Sequence, residues 1–347
     1  MLNDTSPYRD AQPLRVGIIG MGKMGQIRAG VVASRPDLNL CAVCDVDPEK
    51  ARSYPQAEFY PDYHRLLRAD LDIVFVCTYN NVTPNAVTEA LDQGKHVFCE
   101  KPPGSSVADV ERMIAAEKRN PSLKLQFGFN HRYHYAVREA KSVIESERYG
   151  KILWMRGVYG KSGGITFENS WRSNAHLAGG GILLDQGIHM LDLFRFLSGG
   201  DFTHVQSVIT TAFWNIPLED NAFAILFNEQ GQVATIHSSA TQWKHRFSLE
   251  ICLEGGYINL NGILSSTRSY GDESLTYARR QFEDESFAFG KPREETVFFD
   301  RDDSWFLEVA DFLKAIREQR PILSESSNDA LKVMQLIEQI YTTGIRI

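Results

Sequence analysis

The sequence predicts an α/β domain with a Rossmann-type, doubly wound parallel sheet, followed by an α+β domain with a large, mainly antiparallel open sheet. Short apolar runs alternate with longer amphipathic stretches from Leu14 onward, which is typical of parallel strands flanked by helices. Beyond residue 152, strand-like segments follow one another with few helices between them, which favours antiparallel pairing. The length of 347 residues also indicates about two domains, at roughly 150 residues each.

The first domain is predicted to span residues 14–131, after an amino-terminal arm of residues 1–13. Its predicted strands are LRVGII, LNLCAVC, LDIVFVC, HVFCE and KLQFGF. Helices are predicted between the strands, at GKMGQIRAGVVASR, VTPNAVTEALDQG and residues 107–119.

The second domain is predicted to span residues 132–347 and to begin with a helix over 135–147, closed by Gly150. Its strand-like segments are ILWMRGVY, HVQSVITTAF, AFAILF, QVATIHSSAT, RFSLEICLE, YINL and ETVFF. One long helix over 181–197 interrupts them. Two further helices, over 305–320 and 329–341, end the chain, and we assign both to this domain.

Composition excludes several classes of protein. With 43% apolar and 23% charged residues, the chain has the composition of an ordinary globular protein. Its net charge of −7 argues against nucleic acid as a partner. The sequence contains no apolar stretch long enough to span a membrane, and the opening MLNDTSPYRDAQP is not a secretory signal, so we expect a cytoplasmic protein. The cysteine count of five is odd, and we expect no disulfides.

A glycine-rich turn follows the first predicted strand and opens the first helix. Gly20 permits a tight turn, Gly22 lets a pyrophosphate approach the backbone, and Gly25 lets helix and strand pack closely. Lys23 and Met24 lie within the same turn, where the helix amino terminus offers N–H groups to an anion. We therefore expect a dinucleotide here; a tight turn without a ligand is the alternative.

An acidic residue follows the second predicted strand. Asp45 lies 20 residues after Gly25, the spacing expected of a carboxylate that binds the ribose hydroxyls of NAD. Such a carboxylate repels a 2′-phosphate, so NAD is favoured over NADP. Arg52 lies close enough in sequence to contact a 2′-phosphate instead, and a cap or loop role for Asp45 is the structural alternative.

The strand HVFC is followed by Glu100, Lys101 and Pro102 at its carboxyl end, where ligands of parallel sheets bind. A lysine beside a nicotinamide is suited to hydrogen-bond the reacting hydroxyl and to stabilise a developing alkoxide. The alternative is a solvated Lys101 paired with Glu100. The proline also permits a cis peptide bond after Lys101.

The predicted helix over 181–197 is apolar on nearly every side but carries three ionisable residues. At 3.6 residues per turn, Asp185, His189 and Asp192 fall within a stripe about 60° wide. Burial of such groups requires pairing or a wet cavity, and a histidine beside carboxylates is suited to act as a general base. A satisfied interior hydrogen-bond network and a divalent-metal site are the alternatives, although no fourth ligand is evident and we predict no metal.

Together these features resemble the Gfo/Idh/MocA family of sugar and inositol dehydrogenases, from Leu14 to the last helix. The resemblance rests on GxGxxG, Asp45, the CEKP element, GFNHR at 128–132, Trp171-Arg172 and GGGxLLDxGxHxxD. It implies a catalytic triad of Lys101, Asp185 and His189. In this interpretation His189 takes the hydroxyl proton, hydride passes to nicotinamide C4, and Lys101 and Asp185 position and polarise the hydroxyl.

The resemblance also implies further contacts with the cofactor and the substrate. Thr78 and Asn80 are similar to a turn that lies beside the cofactor in this family, with Tyr79 in place of its proline. The implied cofactor-binding residues are Gly20, Gly22, Lys23, Met24, Gly25, Asp45, Thr78, Asn80, Glu100, Lys101, Trp171 and Arg172. The implied substrate-binding residues are Lys101, Asn130, Arg132, Tyr159, Lys161, Asp185 and His189; His131, Asn174 and His176 are additional candidates for a polar pocket.

We therefore expect an NAD-dependent oxidoreductase that acts on a secondary hydroxyl of a sugar, an inositol or a sugar derivative, with a nucleotide sugar as one option. Two alternatives are a glycosidase or lyase that retains NAD through transient oxidation, and a non-enzymatic regulator that senses dinucleotide. A broad half-apolar sheet favours self-association, so we also expect a homodimer or homotetramer through the second domain.

Overall fold

A computed structural model describes residues 12–281 and 290–347. Most of the predicted amino-terminal arm, residues 1–11, lies outside the described residues. The chain divides into two compact units. The first contains the described residues up to Gly104, together with Ala108–Gly128 and Trp305–Ala330. The second contains Ser105–Val107, Phe129–Ser304 and Leu331–Ile347, and the two units are described separately.

The strands are, in chain order, β1 (Leu14–Ile19), β2 (Leu38–Cys44), β3 (Glu58–Tyr60), β4 (Ile73–Val76), β5 (His96–Glu100), β6 (Leu125–Gly128), β7 (Ile152–Gly160), β8 (His204–Thr210), β9 (Asn221–Phe227), β10 (Val233–Ser239), β11 (Arg246–Leu253), β12 (Gly256–Asn261), β13 (Glu273–Arg279), β14 (Glu294–Phe299) and β15 (Ile345–Arg346). The α-helices are α1 (Lys23–Ala33), α2 (Tyr63–Leu66), α3 (Thr83–Asp92), α4 (Val107–Arg119), α5 (Tyr135–Glu145), α6 (Ala175–Ala178), α7 (Ile188–Ser198), α8 (Ser304–Arg317) and α9 (Ser327–Thr343). Short 3₁₀-helices and one π-helix connect some of them, at Pro48–Ala51, Asn130–Tyr133, Trp171–Ser173 and Leu183–Gly187.

The first unit contains a six-stranded parallel sheet in the order β3-β2-β1-β4-β5-β6. The chain leaves β1 toward one edge and returns to β4 on the other side, which is the doubly wound topology. The central strand β4 is buried over its whole length, as its uninterrupted apolar run predicts. The predicted Rossmann-type sheet is therefore confirmed.

Helix α8 packs in the core of the first unit. Its apolar residues, spaced three and four apart, join the core cluster that contains Val16 and Phe98. These residues are Val309, Phe312, Leu313 and Ile316. Both last helices were expected in the second domain. Helix α8 lies in the first unit from Trp305 onward, because its apolar face packs on the core of the parallel sheet, whereas α9 lies in the second unit from Leu331 onward. The predicted boundary at 131–132 lies close to the observed division after Gly128.

The second unit contains a nine-stranded sheet in the order β14-β13-β12-β11-β7-β10-β9-β8-β15. Neighbouring strands are antiparallel except at the β7–β10 and β8–β15 pairs. The predicted mainly antiparallel sheet is therefore confirmed. Strand β13 was not predicted, because its sequence ESLTYAR follows no clear apolar alternation.

Helices α5 and α7 pack against one face of this sheet. Gly157 in β7 allows a close approach, since a Cβ added there would lie 2.5 Å from Met190 Sδ and 2.9 Å from Phe194 Cζ, both on α7. On the other face, large apolar side chains are exposed, among them Trp154, Phe223, Ile225 and Val233. This sheet is thus covered on one side and apolar on the other.

Two further expectations concern cysteines and membranes. All five cysteines are free thiols.

Across residues 12–281 and 290–347, none of the helices is long and apolar enough to cross a bilayer.

The packing of α7 on β7 leads to a stability prediction. Gly157→Ala is expected to lower the free energy of unfolding by about 1–3 kcal/mol, because the new methyl group overpacks the Met190 contact. Gly200→Ala is the matched control, since its nearest neighbour would lie 3.4 Å away, and it should change stability by less than about 1 kcal/mol. Urea unfolding of the three proteins measures both effects, and equal midpoints would contradict the prediction.

Candidate functional site

The glycine turn of the first unit has the geometry that a dinucleotide requires. Gly20 has φ +91°, and a Cβ there would lie 2.4 Å from the Cys77 carbonyl oxygen. A Cβ at Gly25 would lie 2.0 Å from the Gly20 carbonyl oxygen. At Gly22, by contrast, a Cβ would meet none of the neighbouring described atoms within 4 Å, so a phosphate has room beside the backbone. Helix α1 begins at Lys23, at the end of this turn.

Asp45 follows β2 and contacts the same turn. Its Oδ2 accepts a hydrogen bond from the Met21 N–H at 2.8 Å, and its Oδ1 accepts one from the Asp47 N–H at 3.0 Å. Lys50 Nζ lies 3.2 Å from Oδ1. Arg52, the cation considered from the sequence, is mostly exposed and pairs with Glu49 at 2.6 Å. Lys50, and not Arg52, therefore contacts Asp45. The only signal for this contact in the sequence is that Lys50 lies five residues after Asp45.

The carboxyl ends of β4 and β5 bring the remaining first-unit candidates to one sheet edge, because the two strands are parallel neighbours. Thr78 and Asn80 follow β4, with Asn80 buried and Thr78 half-buried. Glu100 ends β5, and its carboxylate accepts a hydrogen bond from Arg28 at 2.6 Å. Lys101 is half-buried, and its peptide bond to Pro102 is cis, as the sequence permits.

Three glycines precede the helix that carries Asp185 and His189 in the second unit. Gly179 has φ +73° and ends α6, and a Cβ at Gly181 would lie 2.1 Å from the Glu219 carbonyl oxygen. The Glu219 carboxylate accepts hydrogen bonds from the N–H groups of Gly181 and Leu183, both at 3.0 Å. The buried carboxylate thus pairs the backbone donors that a helix start leaves open.

The helix itself begins with a π-helical turn over Leu183–Gly187 and continues as α7. The sequence predicted α-helical spacing throughout, and hence one stripe of Asp185, His189 and Asp192. The structure corrects this, because the wider turn changes the angle between Asp185 and His189. Each of the three side chains contacts a different part of the second unit.

Asp185 lies between two cations. Lys161 Nζ donates to Asp185 Oδ2 at 2.6 Å, and Arg172 Nε donates to Oδ1 at 3.3 Å. The Arg172 guanidinium also lies 4.6 Å from the centre of the Trp171 ring. The side chain of Asp185 is 13% exposed, and these two cations offset part of the cost of its burial.

His189 is buried and stacks on His131. The ring centres are 3.7 Å apart, and the planes differ by 15°. His131 Nε2 lies 3.0 Å from the Tyr159 hydroxyl, and its Nδ1 lies 3.1 Å from Asn130 Oδ1. Burial raises the pKa of Tyr159 well above its usual range, so this hydroxyl stays protonated.

Asp192 forms a buried ion pair with Arg132. The Arg132 guanidinium donates to both carboxylate oxygens, at 2.8 Å from Nε and 2.5 Å from Nη2, and both residues are almost fully buried. Arg132 was predicted to contact substrate, but this bidentate pair engages it with α7. The sequence did not reveal the pair, because the partners lie 60 residues apart.

The other second-unit candidates are more exposed. Asn174 accepts hydrogen bonds from the His176 and Leu177 N–H groups and so caps α6. His176 is exposed. Tyr270 was not predicted, yet its ring contacts that of Tyr159 with 5.4 Å between centres. Within residues 12–281 and 290–347, no group of three or more His, Cys, Asp or Glu side chains is arranged to hold a metal ion.

Comparisons with known proteins bear on both units. Residues 14–129 match a family model described as "Oxidoreductase family, NAD-binding Rossmann fold", and residues 137–259 match the "GFO/IDH/MocA C-terminal domain". Among curated relatives, myo-inositol 2-dehydrogenase of Thermotoga maritima is 31% identical over 199 residues, which cover 55% of this chain and 57% of the relative. D-glucoside 3-dehydrogenase of Escherichia coli is 31% identical over 212 residues, or 59% of each chain.

Solved structures share the fold over almost the whole chain. A levoglucosan dehydrogenase in complex with NADH and levoglucosan has a TM-score of 0.83 at 23% identity, covering 96% of this chain and 97% of that one. KijD10, a 3-ketoreductase from Actinomadura kijaniata solved with TDP-benzene and NADP, has a TM-score of 0.82 at 20% identity, covering 97% and 99%.

The matched region spans between 50% and 66% of the length of the curated relatives. The two family models together cover more than half of the chain. The first match includes the glycine turn, and the second includes the helical segment that carries Asp185 and His189. The chain therefore belongs to the Gfo/Idh/MocA family of oxidoreductases and carries that family's NAD-binding Rossmann domain.

Proposed function

We propose that this protein is an NAD-dependent dehydrogenase that transfers a hydride between a secondary hydroxyl of a sugar, an inositol or a sugar derivative and nicotinamide C4. The observation that carries the proposal is the placement of Asp185 and His189 on one continuous helical segment, with the Asp185 carboxylate held by Lys161 and Arg172 and the His189 imidazole stacked on His131. The names of the curated relatives, which include inositol and glucoside dehydrogenases, support the substrate class.

The residues of the first unit fit a dinucleotide. The space at Gly22 and the amino terminus of α1 suit the pyrophosphate, and Asp45 suits the ribose hydroxyls. Thr78, Asn80 and Lys101 follow the strands whose carboxyl ends meet at the same edge. When bound, the nicotinamide ring supplies the hydride acceptor.

The residues of the second unit account for proton transfer. His189 accepts the proton of the reacting hydroxyl as the general base, and His131 holds its ring in place by stacking. Asp185, fixed by Lys161, accepts a hydrogen bond from the substrate, and Lys101 polarises the reacting hydroxyl with its ammonium group. Asn130 and Tyr159 hold His131 through contacts with its two ring nitrogens. Arg132 has a structural role, because its ion pair with Asp192 fixes helix α7.

A panel of inositols, hexoses, glycosides and nucleotide sugars, each with NAD and with NADP, tests the activity through nicotinamide absorbance. His189→Ala and Lys101→Met are expected to lower kcat about 100-fold or more, because each removes a proton-transfer or polarising group. Their Kd for NAD should stay within about threefold of wild type.

Two exposed residues provide matched controls, His204→Ala on β8 and Lys118→Met on α4, and both should retain wild-type turnover. Equal losses of NAD affinity and kcat in the site variants would contradict the assigned roles. A protein that binds NAD but forms no NADH with any compound of the panel would contradict the proposed activity itself.

We propose NAD as the physiological cofactor, with Asp45 as the selecting residue. Asp45→Asn keeps an oxygen that accepts the Met21 N–H but removes the charge, so it should weaken NAD binding and strengthen NADP binding, each by roughly tenfold. Asp47→Asn removes the same charge two residues away, at a half-buried position, and should leave the preference unchanged. Calorimetric titration of both nucleotides measures this; an equal change for NAD and NADP in Asp45→Asn would contradict the selecting role.

We propose that the second-unit sheet associates with a second copy of this chain. The exposed apolar side chains of β7, β9 and β10 support this, because they form one face of neighbouring strands. Phe223→Glu with Ile225→Lys should convert an oligomer into a monomer in sedimentation velocity. Leu323→Glu, which alters an even more exposed apolar residue outside the sheet, should leave the mass unchanged. A wild-type monomer at micromolar concentration would contradict the proposal.

A further inference from the structure

Helix α1, which begins at the glycine turn, carries an arginine that lies wholly inside the first unit. The side chain of Arg28 has 0% exposure, and it lies one and a half turns beyond the start of the helix. An arginine in this position requires partners for its charge, and burial without them would be very costly.

Two carboxylates supply those partners. Arg28 Nε donates to Glu100 Oε1 at 2.6 Å, Nη2 lies 2.5 Å from the same oxygen, and Nη1 lies 2.6 Å from Glu308 Oε1. Glu308 belongs to α8 and is also fully buried. Burial by itself would lower the pKa of Arg28, but Glu100 and Glu308 outweigh it, so the pKa is raised and the guanidinium stays charged.

Aromatic rings fix the plane of the guanidinium. Its central carbon lies 4.3 Å from the centre of the Phe98 ring and 4.9 Å from that of Trp305. Both distances are within the range of cation–π contacts. The guanidinium is thus held by two carboxylates and two aromatic rings, which leaves it little freedom.

A glycine makes room for the pair. A Cβ at Gly128, the last residue of β6, would lie 3.1 Å from Glu100 Oε2 and 3.2 Å from Arg28 Nη2. Both distances are shorter than nearly all contacts that real Cβ atoms make. The start of the GFNHR segment is therefore matched to the ion pair and not only to a turn.

Stability alone does not explain this arrangement, because a buried ion pair seldom stabilises a protein more than apolar residues of the same volume. What distinguishes the Arg28–Glu100 pair is that each partner lies close in the chain to a candidate functional segment. Glu100 is joined by one peptide bond to Lys101, and Arg28 is on the helix that starts at the dinucleotide turn.

We propose that Arg28 and Glu308 are positioning residues for Lys101. By fixing the Glu100 carboxylate, they set the direction in which the chain leaves β5, and Arg28 links that direction to the placement of α1. The inference rests on the proposed function in one respect, since it takes Lys101 as the group whose placement affects turnover.

The test compares Arg28→Lys and Arg28→Met with a matched control, Arg35→Met. Arg35 is also mostly buried, pairs with Asp37 at 3.0 Å, and lies 4.9 Å from the Phe306 ring of α8, but it is not bonded to the Glu100 segment. Three quantities are measured in each protein: kcat, the Kd for NAD, and the rate at which acetic anhydride acetylates Lys101, followed by peptide mass spectrometry.

We expect Arg28→Lys to lower kcat about tenfold and to change the acetylation rate of Lys101 severalfold, with the Kd for NAD within about twofold of wild type. Arg28→Met should have larger effects, and Arg35→Met should match wild type in all three. If Arg28→Met does not fold, Glu308→Gln takes its place; it keeps an acceptor for Nη1 and should shift the acetylation rate in the same direction as Arg28→Lys.

Unchanged acetylation of Lys101 in Arg28→Lys, or the same change in Arg35→Met, would overturn the proposal. So would a loss of NAD affinity that accounts for the whole loss of turnover. The labelling experiment does not depend on catalysis, so a wild-type protein that oxidises no sugar would defeat the proposed function and leave this inference to be decided by the labelling rates.

Discussion

The first unit depends on backbone segments that touch with no side chain between them. Helix α1 starts directly above the end of β1 because Gly25 packs on the carbonyl of Gly20, and Gly20 in turn packs on the carbonyl of Cys77. Any larger residue would push the helix away from the sheet. The close approach of α1 to the sheet has two effects. The amino terminus of the helix faces the space beside Gly22, and Arg28 reaches Glu100 within the core.

The second unit follows a different rule, in which each charge on the central helix has a partner from another element. Lys161 at the end of β7 holds Asp185, and Arg132 holds Asp192. His189 has an aromatic partner in His131, and the pairs differ in burial. The Arg132–Asp192 pair is almost fully buried and ties α7 to the segment before α5, whereas Asp185 keeps some exposure. The Asp192 carboxylate is thus closed off by its ion pair, whereas the Asp185 carboxylate keeps the exposure that its proposed contact with substrate requires.

Much of this could be predicted from the sequence. The glycine turn, Asp45 and the parallel strands follow from local spacing, because each is set by a few consecutive residues. The partners of the charged residues could not be predicted in the same way: Arg132 and Asp192 lie 60 residues apart, and Arg28 and Glu100 lie 72 apart. Helix α8 was placed in the wrong domain for the same reason, since an amphipathic pattern indicates a buried face but not the surface that buries it.

The π-helical turn over Leu183–Gly187 was also beyond the reach of a periodic pattern, because it replaces 3.6 residues per turn with a wider spacing. Such a turn is what an α-helix becomes when it accepts one additional residue. The packing of α7 on β7 starts after it, at Met190. A one-residue change in chain length within this turn would therefore move Asp185 around the helix axis by about 100° and leave His189 in place. In the proposed mechanism, such a change directs the Asp185 carboxylate to a different hydroxyl and leaves the proposed base, His189, undisturbed.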